Sequence, residues 1–272
     1  MKIYPKLSEK FDGLEVLKPY AKKYEGIEIQ MMEWDDVYKI KPIIEKLNQE
    51  ILELKEITIH PPLIEEYNFE VLTYINFEKE VKRLKCIVET SNKLNMKINL
   101  LYHTRWNYNC WKSSGAIERL EDLVNIIQNS KVNIVIENIY SVVDKEDCAV
   151  LSIAKYIDNT HLGVCLDICH LHVEANIYGI EFKEFLANYL NKEECKKYVY
   201  QIHFAGTLDN DGYKRKETHG RKHDTIDNFK IDYNILKEYG MDDKLIVSEV
   251  SEDDYNTRVD QLEEIKMLEK MI

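Results

Sequence analysis

The sequence predicts an α/β protein of the TIM (β/α)8 barrel class, and three observations predict it. Eight short segments rich in Ile, Val and Leu recur along the 272 residues. Amphipathic helical patterns separate most of them, and strands joined through helical crossovers of a dozen or more residues run parallel. Eight such units in roughly 250 residues fit a closed barrel. A doubly wound open sheet fits less well, because no G-x-G-x-x-G follows the first strand and the chain has nine glycines in all. With no Pro/Gly/Ser-rich linker, residues 1–272 read as a single barrel domain.

The strands come in order as KIYPKL (Lys2 to Leu7), GIEIQ (Gly26 to Gln30), ITIHP (Ile57 to Pro61), INLLYHT (Ile98 to Thr104), NIVIENI (Asn133 to Ile139), LGVCLDI (Leu162 to Ile168), VYQIHFAG (Val199 to Gly206) and LIVSEVS (Leu245 to Ser251). Asp35 or Asp36 caps a helix whose apolar stripe is Ile40, Ile43, Leu47, Ile51 and Leu54. Like stripes run through Phe77, Val81, Leu84 and Val88, through Ile117, Leu120, Val124 and Ile127, and through Val259, Leu262, Ile265 and Met267.

Composition narrows the function. The first residues lack the apolar core of a signal peptide and no apolar run reaches membrane-spanning length, so a cytoplasmic protein is expected. Six cysteines without a C-x-x-C pair read as reduced thiols, not as a disulfide frame. A net charge of −12 disfavours a nucleic-acid partner, because phosphate binding draws on Lys and Arg. A small molecule is the expected partner, and the sequence leaves a homodimer open.

The stretch LGVCLDICHLHVE raises the central question, since an apolar strand gives way to Asp167 and His170. A buried charge must be paired or metal-bound. Asp167 is one of six such strand-end residues: His60, His103, Glu137, Asp167, His203 and Glu249 close strands three to eight. In a barrel the C-terminal strand ends converge on one mouth. Carboxylates crowded there repel one another unless a cation neutralises them, and carboxylate with imidazole suits Zn2+ or Mn2+.

Together IHPP, LLYHT, VIENIY, GVCLDICH, IHFAGT and LIVSEV make the chain resemble the xylose isomerase-like TIM-barrel superfamily, which holds sugar and sugar-phosphate isomerases and epimerases together with endonuclease IV. The resemblance implies that Glu137, Asp167, His203 and Glu249 are metal ligands shared by both branches. It assigns His60 and His103 to an additional metal of the endonuclease branch, and His170 and His223 to a third. The chain departs from that branch where Asp-x-His is replaced by Arg221-Lys222-His223-Asp224, which leaves the third metal short of a ligand unless His219 or Asp224 supplies one. The E-N-T-A-G run is Glu137-Asn138-Ile139-Tyr140-Ser141 here, and Ile226-Asp227-Asn228 stands where a Gly-rich turn follows the histidine.

The expected activity is therefore a metal-dependent sugar or sugar-phosphate isomerase or epimerase, with Glu137 and Glu249 exchanging a proton beside a carbonyl. The alternative is an abasic-site endonuclease-like phosphoesterase. Two loops supply candidate substrate contacts. The segment FAGTLDNDGYKRKETHGRKHDT concentrates Lys214, Arg215, Lys216, Arg221 and Lys222, an anion clamp in an acidic chain. After the fourth strand, Arg105, Trp106, Tyr108 and Trp111 form a ligand roof beside His103, and Asn138 adjoins Glu137.

Overall fold

A computed structural model of the chain describes residues 2–32, 37–51, 54–62, 74–104, 108–138, 143–144, 147–206 and 220–271. Eight parallel strands close into the expected barrel. They are β1 (Lys2–Ser8), β2 (Gly26–Gln30), β3 (Glu56–His60), β4 (Lys97–Thr104), β5 (Val132–Asn138), β6 (Leu162–Asp167), β7 (Val199–Phe204) and β8 (Leu245–Ser248). Spatial order follows chain order, and β1 pairs with β8 through Lys2 opposite Leu245, which shuts the barrel. A two-residue ribbon, Val143–Asp144 with Asp147–Cys148, lies outside it.

Both faces of each strand are covered. Outward-facing Ile3, Leu7, Ile27, Ile29, Ile57, Ile59, Ile134 and Ile136 join one large apolar core with the surrounding helices. The helix Ala116–Ile127 buries Ile117, Leu120, Leu123, Val124 and Ile127 there, each at no more than 1% exposure. Such a side chain contributes roughly 2 kcal/mol through removal from water.

Three details depart from the sequence pattern. In the helix Val37–Glu50 the buried stripe takes Ile44, and Ile43 sits at its margin. In the last helix, Val259–Met271, Val259 is exposed, while Gln261 and Glu264 are buried and hydrogen-bonded. Strand β8 stops at Ser248, so Glu249 is carried on the first residue of the following loop. The capping positions Asp35 and Asp36 lie outside the described residues.

The lumen is polar where most barrels are aliphatic. At its N-terminal end Glu56 accepts from Tyr4 Oη at 2.9 Å, from Asn99 Nδ2 at 2.8 Å and from Tyr200. Above it, Thr58 Oγ1 donates to Gln201 Oε1 at 3.0 Å, and Gln201 Nε2 donates to Glu28 Oε2 at 2.7 Å. A bulge makes this possible: Val164 pairs with Val199 but Cys165 with Gln201, so Tyr200 is an extra residue and both it and Gln201 reach inward. No helix among the described residues is long and apolar enough to cross a membrane.

Candidate metal centre

The strand ends meet as the sequence predicts. Ligand-capable atoms of Glu137, Asp167, His203 and Glu249 all lie within 4.8 Å of one another. Three strands and the loop just past β8, separated by long stretches of sequence, deliver them, because parallel strands in one barrel end at one rim. A neighbouring group, His60, His103 and Glu137, meets the same limit, with His60 Nε2 3.3 Å from His103 Nε2.

Hydrogen bonds around the rim orient the ligands. His60 Nδ1 donates to the Pro61 carbonyl at 2.7 Å, which turns Nε2 toward the cluster. Asp167 divides its oxygens: Oδ1 accepts from the His170 amide at 2.8 Å and caps the helix Ile168–Tyr178, while Oδ2 lies 3.9 Å from His203 Nδ1. The cap and the candidate ligand are therefore the same carboxylate.

Two residues unforeseen in the sequence complete the centre. Glu28, fully buried on β2, lies 3.0 Å from His203 Nε2 and belongs to a third ligand-capable group with His60, His203 and Glu249. Lys6, on β1, pairs with Glu28 at 3.1 Å and donates to Glu249. Cys165 also joins Glu137 and His203 within ligand distance, but burial pushes its thiol far up, so it stays protonated.

Electrostatics divide the histidines. Burial opposes a charge on His203, yet the carboxylates of Glu137, Glu249 and Glu28 outweigh it and hold the imidazole protonated well above its ordinary range. His60 is pushed down to about 3 by burial, Lys6 and His103. Glu28 sits at about 2: burial would raise it, but His203 and Lys6 lower it more. Such a cluster holds two positive charges, Lys6 and His203, against four carboxylates. The donor set of oxygen and imidazole nitrogen fits a divalent cation, which would displace the His203 proton on binding.

Other expected residues take different places. His170 borders the cluster, with Nδ1 3.6 Å from Asp167 Oδ2 and 3.7 Å from Glu137 Oε1, but that nitrogen donates to the Asn138 carbonyl at 2.6 Å. His223, which the resemblance assigns to a third metal, has its Nδ1 facing Glu264 and its Nε2 3.2 Å from Asp232, two carboxylates apart from the Glu137 cluster. His172 shares Asp232 with it, its Nε2 2.9 Å from Asp232 Oδ1. Gly206 allows the close approach, since a Cβ there would meet His223 Cα at 2.6 Å. Asp224 Oδ1 accepts from Asn228 Nδ2 at 2.7 Å at the start of the next helix.

The substrate contacts also change. Asn138, expected to contact substrate, clips two strand ends together, accepting from the Asp167 amide at 2.9 Å and donating to its carbonyl at 3.2 Å. Trp111 is a core residue at 0% exposure, not a ligand roof, while the half-buried Tyr108 packs against the core and lies 6.5 Å from Tyr156, centroid to centroid. Lys222 is held by Asp260 at 2.8 Å and Glu263 at 2.6 Å, and Arg221 lies 3.6 Å from Asp253 at the surface. Arg105, Trp106, Lys214, Arg215, Lys216 and His219 lie outside the described residues. A cavity of about 360 Å3 opens beside Glu249, lined by Lys6, Gln30, Met32, Ser251, Tyr255 and Arg258 among others. A larger hollow, about 730 Å3, lies at the opposite end around Glu56 and Tyr200, the end of such barrels that serves stability.

Barrel and rim together define a class. The chain belongs to the xylose isomerase-like TIM barrel family, whose profile matches residues 19–271. Among solved structures it is similar to the IolI protein with a bound zinc atom, at 19% identity and TM-score 0.64, covering 99% of this chain and 96% of that one. A putative sugar phosphate isomerase/epimerase from Anabaena variabilis matches at 13% identity and TM-score 0.64, covering 99% and 98%. A xylose isomerase-like TIM barrel protein from Mycobacterium smegmatis in complex with magnesium matches at 11% identity and TM-score 0.58, covering 99% and 97%. No curated protein sequence matches the chain.

Proposed function

We propose that the protein is a divalent-metal-dependent isomerase or epimerase of a sugar or sugar phosphate, which moves a proton at the carbon beside a carbonyl. The observation that carries this reading is the meeting of Glu137, Asp167, His203 and Glu249 within 4.8 Å at the mouth of the barrel. A zinc or manganese ion held there would polarise the substrate's carbonyl oxygen and acidify the adjacent C–H. Similarity to the zinc-bound IolI protein and the isomerase/epimerase-named Anabaena protein supports the reading.

Each protein group then has a task. Glu249 lines the cavity and can take a proton from a ligand inside it. Glu137 is kept ionised because His203 and His103 outweigh the effect of its burial, so it can serve as the second carboxylate. His60 stays neutral and offers a nitrogen lone pair. Arg221, near the mouth loop, and Arg215 would meet the phosphate of a phosphorylated substrate. We take residues 1–272 as one domain. We place the protein in the cytoplasm.

The test is exchange. Protein loaded with Mn2+ or Zn2+ is incubated in D2O with a panel of aldoses, ketoses and their phosphates, and loss of the C–H signal beside the carbonyl is followed by proton NMR. Metal-dependent exchange for one substrate, lost in Glu249→Gln, is expected. Silence across the panel from metal-loaded protein would refute it.

One observation favours a second reading. The His60–His103–Glu137 group could hold another ion, and paired metals suit phosphoester hydrolysis. Against a three-metal site, His223 is bound by Asp232 and Glu264. Metal-dependent incision of an abasic-site duplex would promote this reading over the first.

A further inference from the structure

We infer that Lys6 is a built-in counter-ion of the metal centre, a positioning residue that competes with the divalent cation for Glu249 and so weakens ion binding. This rests on the proposed metal site and extends it to a strand, β1, that supplies none of the expected ligands.

Lys6 projects into the lumen from the middle of β1 and is 9% exposed. Its Nζ donates to Glu249 Oε1 and lies 3.1 Å from Glu28 Oε1. Both carboxylates face His203, so the ammonium occupies the one side of the cluster that the histidines leave to β1 and β2. A buried lysine is retained at such a place because its charge is neutralised by two carboxylates that would otherwise repel each other. Glu249 also belongs to the four-residue ligand group, so Lys6 and a divalent ion draw on one carboxylate.

Two effects follow, with one sign. Removing the ammonium frees Glu249, and it leaves the rim one charge more negative. Both favour a divalent cation. The ion-free barrel, in contrast, loses the cation that screens Glu28 from Glu249 and becomes less stable. A purely structural lysine predicts the reverse for binding, since a damaged rim holds an ion less well.

The experiment measures Mn2+ affinity by calorimetry, and melting with and without Mn2+, for the wild type, Lys6→Met and Lys6→Arg. Lys6→Met should bind Mn2+ at least roughly tenfold more tightly than wild type, as expected for one unit charge removed at close range. Its ion-free form should melt lower, and saturating Mn2+ should raise its melting temperature by more than it raises that of wild type. Lys6→Arg should stay near wild type. If Lys6→Met does not fold, Lys6→Gln removes the charge while keeping a hydrogen-bond donor beside Glu249 and Glu28, and it should still bind Mn2+ more tightly. Equal or weaker binding by the folded variants overturns the role of Lys6 while leaving the metal site standing. Failure of wild type and variants alike to bind Mn2+ or Zn2+ overturns both.

Discussion

His203 Nδ1 lies 2.6 Å from Glu249 Oε2, which joins a strand-seven imidazole to a carboxylate just past strand eight. The same ring reaches Glu137 at 3.1 Å and, through Nε2, Glu28 at 3.0 Å. One side chain therefore stands between three carboxylates. His203→Ala should weaken Mn2+ binding at least roughly ten- to hundredfold and lower turnover in parallel, by analogy with loss of a group that orients other ligands. Calorimetry and steady-state kinetics on the same preparation check this, and unchanged affinity would remove His203 from the centre.

Asp167 needs a subtler substitution, because it also caps a helix. Asp167→Asn keeps a side-chain acceptor for the His170 amide but loses the charge, so stability should hold while metal binding falls. Asp167→Ala should lose both, with roughly 1 kcal/mol attributable to the cap. His161→Ala is the control: its Nδ1 meets the Val132 carbonyl at 2.9 Å far from the rim cluster, and its loss should leave metal binding intact.

The His223 network sets a pH dependence. Burial works against a charge there, but hydrogen bonds to Asp232 and Glu264 raise His223 to about 9. A folded value above the unfolded one, about 6.5, gives stability that is complete below that value and lost as pH rises through about 9. The melting-temperature gap between wild type and His223→Gln should thus be widest near pH 6 and shrink toward pH 9. The full effect is on the order of 3 kcal/mol. A gap that widens with pH would contradict the charged pairing.

At the other end of the barrel, Gly26→Ala should destabilise the fold without touching metal affinity. A Cβ at residue 26 would lie 2.0 Å from Tyr4 Cζ, and Tyr4 cannot retreat freely while its hydroxyl donates to Glu56. Overpacking of this kind costs roughly 1–3 kcal/mol. Denaturant melts set against Mn2+ titrations separate the two quantities, and a variant as stable as wild type would mean the N-terminal end repacks.

Much of this was legible in the sequence because a barrel turns strand ends into neighbours. His60, Glu137, Asp167 and His203 each stop an apolar run, and a polar residue at that place has few other uses. Glu28 and Lys6 escaped the same logic, since each sits within a strand between apolar residues. Alternation of that sort reads as a solvent face, although in a parallel barrel both faces are covered and a mid-strand charge is itself a signal. His223 could not be placed from sequence at all. Its two partners arrive on separate helices, Ile226–Glu238 and Val259–Met271, whose packing no local pattern reports. Trp111 looked like a ligand roof because an aromatic near a functional strand has the same spelling whether it faces a cavity or the core.

The bonds that cross the lumen also specify alignment. Thr58 on β3 meets Gln201 on β7 across the barrel axis, and Glu56 is reached from three other strands. Aliphatic layers tolerate exchange of one methyl-bearing residue for another, whereas a hydrogen bond between two named atoms does not. Sliding any strand by one residue would turn its isoleucines inward and its polar side chains into the apolar shell. The stagger of all eight strands is thus keyed by pairings on the axis. A barrel shifted by one step would strand Glu56 and Gln201 in apolar surroundings, so misaligned closures are selected against before any ion or substrate arrives.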